Sequence, residues 1–408
     1  MIKSIFRSVA VFSALVLMPA CRKQVPGTAV ATVDTLPGGI VRTMSASPTA
    51  WADSLTGWRL VLDHTIQPGE GEPGELLNPG SVAMSREGDV FVRDETPSVV
   101  KVFDTSGRYL RAIGHEGDGP GEFRGGFIAV RGDTLVIQDP RNARVTTFRA
   151  SDGNMITSWR STCCYWYPVS LDGEGRVVLY AMAQTDSGAV PAQALIRAHL
   201  DGSGLDTAWA TQRPVPDSKR WIVKQGKNNL FMMQVPFQPQ EIHSADPAGN
   251  LLTGWNGEYL IRTSRNGRDT VSLFGRQWTA EPVTGAERTA IVEKRIADQG
   301  GSTPEAVLRA AFNPDYIPNV RPAYNGINAD LLGNRWIRLE TADTVRVHYD
   351  VFDPAGRWLG AVSAAAAKWS GSYPPPAWGS DRVAVLIEDE EGKPAVLIYR
   401  IEKRGASR

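Results

Sequence analysis

Beyond residue 56 the apolar positions fall in short runs, each opened by a turn. Glu87-Gly88-Asp89 precedes Val90-Phe91-Val92, Gly132-Asp133 precedes Leu135-Val136-Ile137, and Gly173-Glu174-Gly175 precedes Val177-Val178-Leu179. The series continues with Pro247-Ala248-Gly249-Asn250 before Leu251-Leu252, Gly333-Asn334 before Trp336-Ile337, and Gly379-Ser380-Asp381 before Val383-Ala384-Val385. Runs this short, bounded by turn residues, predict strands rather than helices. Glycine belongs at such turns because a hairpin needs positive φ, which is costly for a residue with a Cβ. Six turns make up this series. A second series has glycine at 107, 153, 204, 267 and 356. Its clearest pair is Val102-Phe103-Asp104-Thr-Ser-Gly107-Arg108-Tyr109-Leu110 against Val351-Phe352-Asp353-Pro-Ala-Gly356-Arg357-Trp358-Leu359. In both, Asp can cap its own turn and Gly takes the left-handed position.

The second series is one member short. A last unit lacking its outer strand explains the deficit, and Trp58-Arg-Leu-Val-Leu-Asp-His-Thr-Ile66 is the strand predicted to complete it. Closing a ring with an N-terminal strand removes open edges and ties the termini together. A longer repeat agrees. Gln67-Pro-Gly-Glu-Gly-Glu-Pro-Gly-Glu-Leu76 has the pattern of Gly114-His-Glu-Gly-Asp-Gly-Pro-Gly-Glu-Phe123, with Pro73 matching Pro120 and Ile66 matching Ile113. That spacing fits one four-stranded blade. The expected architecture is all-β: a six-bladed β-propeller over residues 57–402.

The Gly-x-Gly-Pro-Gly-Glu-Phe loop at 117–123, the segment Asp139-x-x-Asn142-x-Arg144-Val145-x-x-Phe148 and the Asp-x-x-Gly turns resemble those of secreted bacterial six-bladed propellers of the NHL-repeat type. The resemblance covers nearly all of residues 57–402. It implies a fold and leaves activity open, because propellers host binding, lyase, lactonase and scaffold roles alike.

Two departures from even spacing predict insertions. Trp209 to Gln240 carries Pro214, Pro216, Pro236 and Pro239 around Trp221, Phe231, Met232, Met233 and Phe237. The other, at about 280–320, reads as helical. Thr284-x-x-Glu287 is a capping-box pattern before Arg288 to Ala297, and Ser302-Thr303-Pro304-Glu305 opens a second helix to Phe312. A helical pair cannot join a blade's sheet, so it must lie on a face or a rim, as a lid over the channel or as packing against the blades.

The N-terminus changes the picture of location. Lys3 and Arg7, the apolar run Val9 to Met18 and then Pro19-Ala20-Cys21 predict a secretory signal over residues 1–20. The run is too short to span a bilayer. Cys21 after a small residue resembles a bacterial lipobox, with Met18 and Pro19 departing from the usual residues there. Lipidation of Cys21 on the cell envelope is the expectation, with a periplasmic protein as the alternative. Residues 21–56, rich in Pro, Gly, Ser and Thr, read as a flexible tether.

Lys+Arg and Asp+Glu are both 44, and no basic block stands out. Nucleic acid is therefore not an expected partner, and membrane contact is expected only through an N-terminal lipid. Cys163-Cys164 are the remaining thiols once Cys21 is lipidated, and adjacent cysteines can close a strained vicinal disulfide. Tyr165, Trp166 and Tyr167 follow and could wall a pocket for a flat or sugar-like ligand, or simply pack between sheets. The histidines are His64, His115, His199, His243 and His348, and no two have metal-ligand spacing. A channel site for a divalent metal ion could still take one ligand per blade. His115 in the Gly/Glu loop and His243 just before a strand are the candidates for it. Asp94 and Asp139 end their strands at matching places, and Glu75 and Glu122 match in their loops. That repetition points to turn hydrogen bonds rather than catalysis. No Gly-x-Ser-x-Gly elbow or phosphate loop is present, so no catalytic residue is expected. The sequence favours a binding scaffold for a peptide, glycan or partner protein over an enzyme. A metal-dependent lactonase- or lyase-like enzyme with its site in the central channel is the alternative.

Overall fold

The computed structural model describes residues 30–51, 57–161, 168–183, 192–209, 219–225, 229–299, 303–365 and 375–403. The chain begins with a hairpin, β1 (Ala31–Leu36) and β2 (Ile40–Ser45), followed by β3 (Arg59–Ile66). Blade 1 is β4 (Pro79–Met84), β5 (Val90–Glu95), β6 (Ser98–Phe103) and β7 (Tyr109–Ile113). Its outgoing loop carries the two-residue parallel strands β8 (His115–Glu116) and β9 (Glu122–Phe123). Blade 2 is β10 (Phe127–Arg131), β11 (Thr134–Asp139), β12 (Arg144–Arg149) and β13 (Met155–Arg160). Blade 3 is β14 (Ser170–Leu171), β15 (Val177–Ala183), β16 (Ala192–Ala198) and β17 (Asp206–Trp209). A hairpin, β18 (Arg220–Gln225) and β19 (Asn229–Gln234), precedes blade 4, which is β20 (Glu241–Ala245), β21 (Leu251–Trp255), β22 (Leu260–Ser264) and β23 (Ser272–Arg276). Helices α1 (Gly285–Asp298) and α2 (Glu305–Ala311) and a 3-10 turn, Pro314–Tyr316, follow. Blade 5 is β24 (Tyr324–Ala329), β25 (Arg335–Leu339), β26 (Arg346–Phe352) and β27 (Trp358–Ala365). Blade 6 is β28 (Ala377–Trp378), β29 (Arg382–Glu388) and β30 (Pro394–Glu402), with β3 as its outer strand.

Each blade is an antiparallel meander, so all six inner strands start on one face. The links from an outer strand to the next inner strand, and the second hairpin turn of each blade, lie on that crossover face. The two counted glycine series are the first and third hairpin turns, on the opposite face. The repeated Val-Phe-Asp-x-x-Gly-Arg unit has a physical reading. The register slips between Val102 and Phe103 and again between Val351 and Phe352, a bulge that sets up the turn. Asp104 Oδ1 then accepts from the Ser106 and Arg108 N–H groups (3.0 Å each), and Asp353 Oδ1 from Ala355 and Arg357 (2.9 Å each). The Arg of each unit closes back on the same carboxylate, Arg108 Nε at 3.0 Å and Arg357 Nε at 2.7 Å.

The tether expectation fails for residues 31–51. Ala31-Thr-Val-Asp-Thr-Leu36 and Ile40-Val-Arg-Thr-Met-Ser45 pair around Gly38 and Gly39, both at positive φ. β2 then joins β23 in parallel, making blade 4 a six-stranded sheet. The chain next runs along β27. Thr49 and Trp51 donate their N–H groups to Trp358 and Leu359, and Trp51 Nε1 bonds the Ala361 carbonyl at 3.0 Å. Residues 31–51 thus form a strap laid along blades 4 and 5, and β3 joins blade 6. The strap's alternating residues satisfy the outer-strand hydrogen bonds that a polar tether would leave to water. Cys21 and the 1–20 segment lie outside the described residues.

The two insertions pack on each other rather than standing apart. Trp221 and Val223 of β18 share a core with Val292 and Ile296 of α1 and with Leu308 and Phe312. Trp221 donates to the Asn313 carbonyl at 3.1 Å. The capping box forms by half: Thr284 accepts the Glu287 N–H, while the Glu287 carboxylate turns to buried Arg321.

Candidate functional site at the central channel

Inner strands of all six blades wall a central cavity of about 550 Å³. Its lining is uneven around the ring. Blades 1–3 and 6 present Val82, Phe127, Ile128, Val169, Leu171 and Trp378. Blades 4 and 5 add Glu241, His243, Ser244, Asn325 and Asn328 among apolar residues such as Ile242 and Ile327, whereas the polar side chains of blades 1–3 are only Ser81 and Ser170. Inner strands set this difference: Val82 of β4, Phe127 of β10 and Leu171 of β14 belong to inter-blade cores, while β20 and β24 place Glu241, His243 and Asn328 beside their own core residues Ile242 and Ile327. An apolar wall facing a few polar groups is the usual form of a small-molecule site.

Asn325 donates through Nδ2 to Glu340 Oε2 at 2.7 Å, which orients its amide. Burial pushes the Glu340 carboxyl up, against the hydrogen bond from Asn325. His243 is partly buried in the cavity wall, and burial pushes its imidazole down to about 4. The unfolded chain, with an ordinary histidine near about 6.5, takes up this proton first. Stability tied to His243 is therefore complete above pH 6.5 and drains away as pH falls toward about 4. The expected loss across that window is about 3 kcal/mol relative to a His243→Gln variant. Denaturant unfolding of both proteins at a series of pH values checks it, and parallel curves would contradict it.

His115 is placed elsewhere. It lies exposed in the loop after blade 1, with Nε2 at 3.1 Å from Glu122 Oε1, so the two candidate histidines are not brought together. Among the described residues no group of three or more His, Cys, Asp or Glu side chains could hold a metal ion. Cys163, Cys164, Tyr165, Trp166 and Tyr167 lie outside the described residues. Neither insertion contributes to the cavity wall among the described residues. β18 packs on α2, so the two insertions share one core.

The repeated carboxylates stitch crossover loops to blades. Asp94 accepts the Leu77 and Asn78 N–H groups (2.8 and 2.6 Å) and the Lys101 ammonium (2.8 Å). Asp139 accepts the Arg124 N–H at 2.9 Å, and Asn256 takes the same role in blade 4 toward Gln240 at 2.7 Å. Each reaches beyond its own turn to the residue that leads into the inner strand. Glu75 and Glu122 hold their own loops, accepting from Gly71 and Gly119.

Sequence reading missed Arg93, which is 1% exposed at the end of β5. Its room comes from a bulge between Pro79 and Ser81, where a Cβ on Gly80 would lie 2.1 Å from Arg93 Nη2. A buried arginine in a strand of Val and Phe was the available signal.

Residues 75–188 match a family described as "6-bladed beta-propeller". A comparison with curated proteins finds no match. Among solved structures, a protein described as exported from Bacteroides fragilis is 14% identical, with 88% of this chain and 98% of that one covered at a TM-score of 0.48. A DUF4221 family member from Bacteroides vulgatus is 10% identical, with 85% and 99% covered at 0.46. Virginiamycin B lyase from Staphylococcus aureus is 9% identical, with 84% and 99% covered at 0.40. At these scores the three likenesses carry nothing about activity. The ring of four-stranded sheets and the family match together establish the architecture: the chain is a six-bladed β-propeller.

Proposed function

We propose that this chain is an exported binding propeller whose central channel takes a small ligand with an apolar body and a polar end. The observation that supports it is the uneven lining: the acid, imidazole and amide side chains are all on blades 4 and 5, and blades 1–3 and 6 are apolar but for Ser81 and Ser170. A cavity of about 550 Å³ suits a molecule of modest size. Rigid inner strands, rather than loops, hold the polar groups, so little ordering is needed on binding. Export rests on Lys3, Arg7 and the apolar run that follows. Lipidation of Cys21 would keep the protein at the envelope, with the strap beginning some ten residues later.

A titration with anilinonaphthalene sulfonate, an amphipathic dye, tests the site. Saturable one-to-one binding that is lost when the channel is filled by Ser244→Trp is expected. Binding unchanged in a folded Ser244→Trp protein would place the dye elsewhere and remove the support for a channel site.

A further inference from the structure

We infer that the channel mouth between blades 1 and 2 holds an oxyanion-binding point, built on Arg93 and Arg141, that receives the polar end of the ligand. This rests on the channel reading and names the charge of its ligand. Arg93 is 1% exposed, and its guanidinium spends only Nη2 on a partner, Glu95 Oε1 at 2.8 Å. Nε and Nη1 are buried without one. A buried guanidinium with two unmet donors is costly in an apolar setting and calls for an acceptor.

The surroundings of that guanidinium are specific. It fits between Gly80, next to the channel-lining Ser81, and Gly125, two residues before the channel-lining Phe127. Above Gly125, Arg141 Nε and Arg93 Nη1 lie 3.9 and 4.0 Å from one point, the place a Cβ would take. Two guanidinium groups thus converge over a bare backbone. Gly125 and Gly126 both have positive φ (149° and 98°), a conformation that keeps side chains off this spot. A Cβ on Gly126 would strike the Gln138 carbonyl at 1.7 Å. Arg141 is exposed and can swing as an anion reaches Nη1. The nearby acids are already engaged: Asp139 with backbone N–H groups, Asp118 with Arg124, and Glu95 with the one Arg93 nitrogen.

Charge also sets the ligand's direction. Blade 4 stands opposite blade 1 and carries Glu241 at the start of its inner strand. An anionic end is repelled there and attracted to Arg93, which leaves the apolar body against Val82, Phe127 and Val169. The ligand class is an amphipathic anion of the carboxylate, sulfate or phosphate type.

Isothermal titration with decanoate and decanol tests this on the wild type, Arg93→Gln and Arg141→Gln. The expected result is at least a tenfold preference of the wild type for decanoate, lost in either variant, with decanol affinity unchanged. Equal affinity for both probes, or a preference kept in both variants, overturns the anion point while leaving the channel reading intact. Arg141→Gln alters an exposed side chain and serves if Arg93→Gln does not fold. If neither probe binds, the channel reading fails. The anion point is then judged by acetate, sulfate and phosphate at matched ionic strength. A rise in melting temperature over chloride that Arg141→Gln lacks would sustain it, and a flat response to all three would overturn it.

Discussion

Replacing Trp51 by alanine should destabilise the protein by about 3–5 kcal/mol, an effect expected of a core tryptophan and far too large for a tether residue. Trp51 is 7% exposed and stacks on Trp58 with ring centroids 5.1 Å apart. Trp58 meets Trp336 at 5.9 Å, and Trp336 meets Trp378 at 4.7 Å. These four rings run from the strap through the seam between blade 5 and blade 6, the blade that β3 completes. The backbone is shaped to admit Trp51: a Cβ on Gly57 or Gly360 would lie 1.9 or 2.4 Å from it. Alanine would leave a cavity beside β27 and strand the Ala361 carbonyl. Urea unfolding of Trp51→Ala measures the loss, and a cost below about 1 kcal/mol would show that the strap is dispensable.

Asp350→Ala should cost a similar amount, about 3–5 kcal/mol, by orphaning a buried cation. Asp350 lies in β26, fully enclosed, and Oδ2 accepts from the Tyr259 hydroxyl at 2.6 Å and from Arg276 Nε at 2.5 Å. Burial pushes the Asp350 carboxyl up and works against the Arg276 charge, and their mutual attraction opposes both effects, raising the guanidinium above its ordinary value. That guanidinium sits 4.8 Å from the Tyr259 ring centre and 4.7 Å from that of Trp358, joining blades 4 and 5. Removing the acid alone leaves the charge between two rings without a counterion. The double variant Asp350→Leu with Arg276→Met should recover most of the loss, since a well-packed apolar pair can replace a buried ion pair. A double variant as unstable as the single one would contradict this account of the seam.

The blades were legible because they repeat. Six first turns, five third turns and the Val-Phe-Asp-x-x-Gly unit mark local hydrogen-bonding needs, which stay with the residues wherever the blade sits. The N-terminal strand closing blade 6 followed from counting. Residues 31–45 were misread because Thr, Ser, Gly and Pro content outweighed a period-two pattern visible in Ile40-Val-Arg-Thr-Met-Ser45. That hairpin is stable only against β23, a partner more than two hundred residues away that no local signal announces. The site was less legible for the same reason. His243 was singled out and does line the channel, but the lining is assembled from six strands, each supplying two to five positions. Arg93 was invisible because its meaning depends on a bulge at Gly80 and on the bare backbone at Gly125, both set by tertiary packing.

The channel claim is tested most directly by a crystal structure of the protein with 10-bromodecanoate, whose bromine can be located by anomalous scattering. The expected position of the bromine is inside the ring, against Val82, Phe127 and Val169, with the carboxylate toward Arg93. Bromine found only outside the ring, for example on the exposed Ile222 and Met232 of the β18–β19 hairpin, would contradict the account.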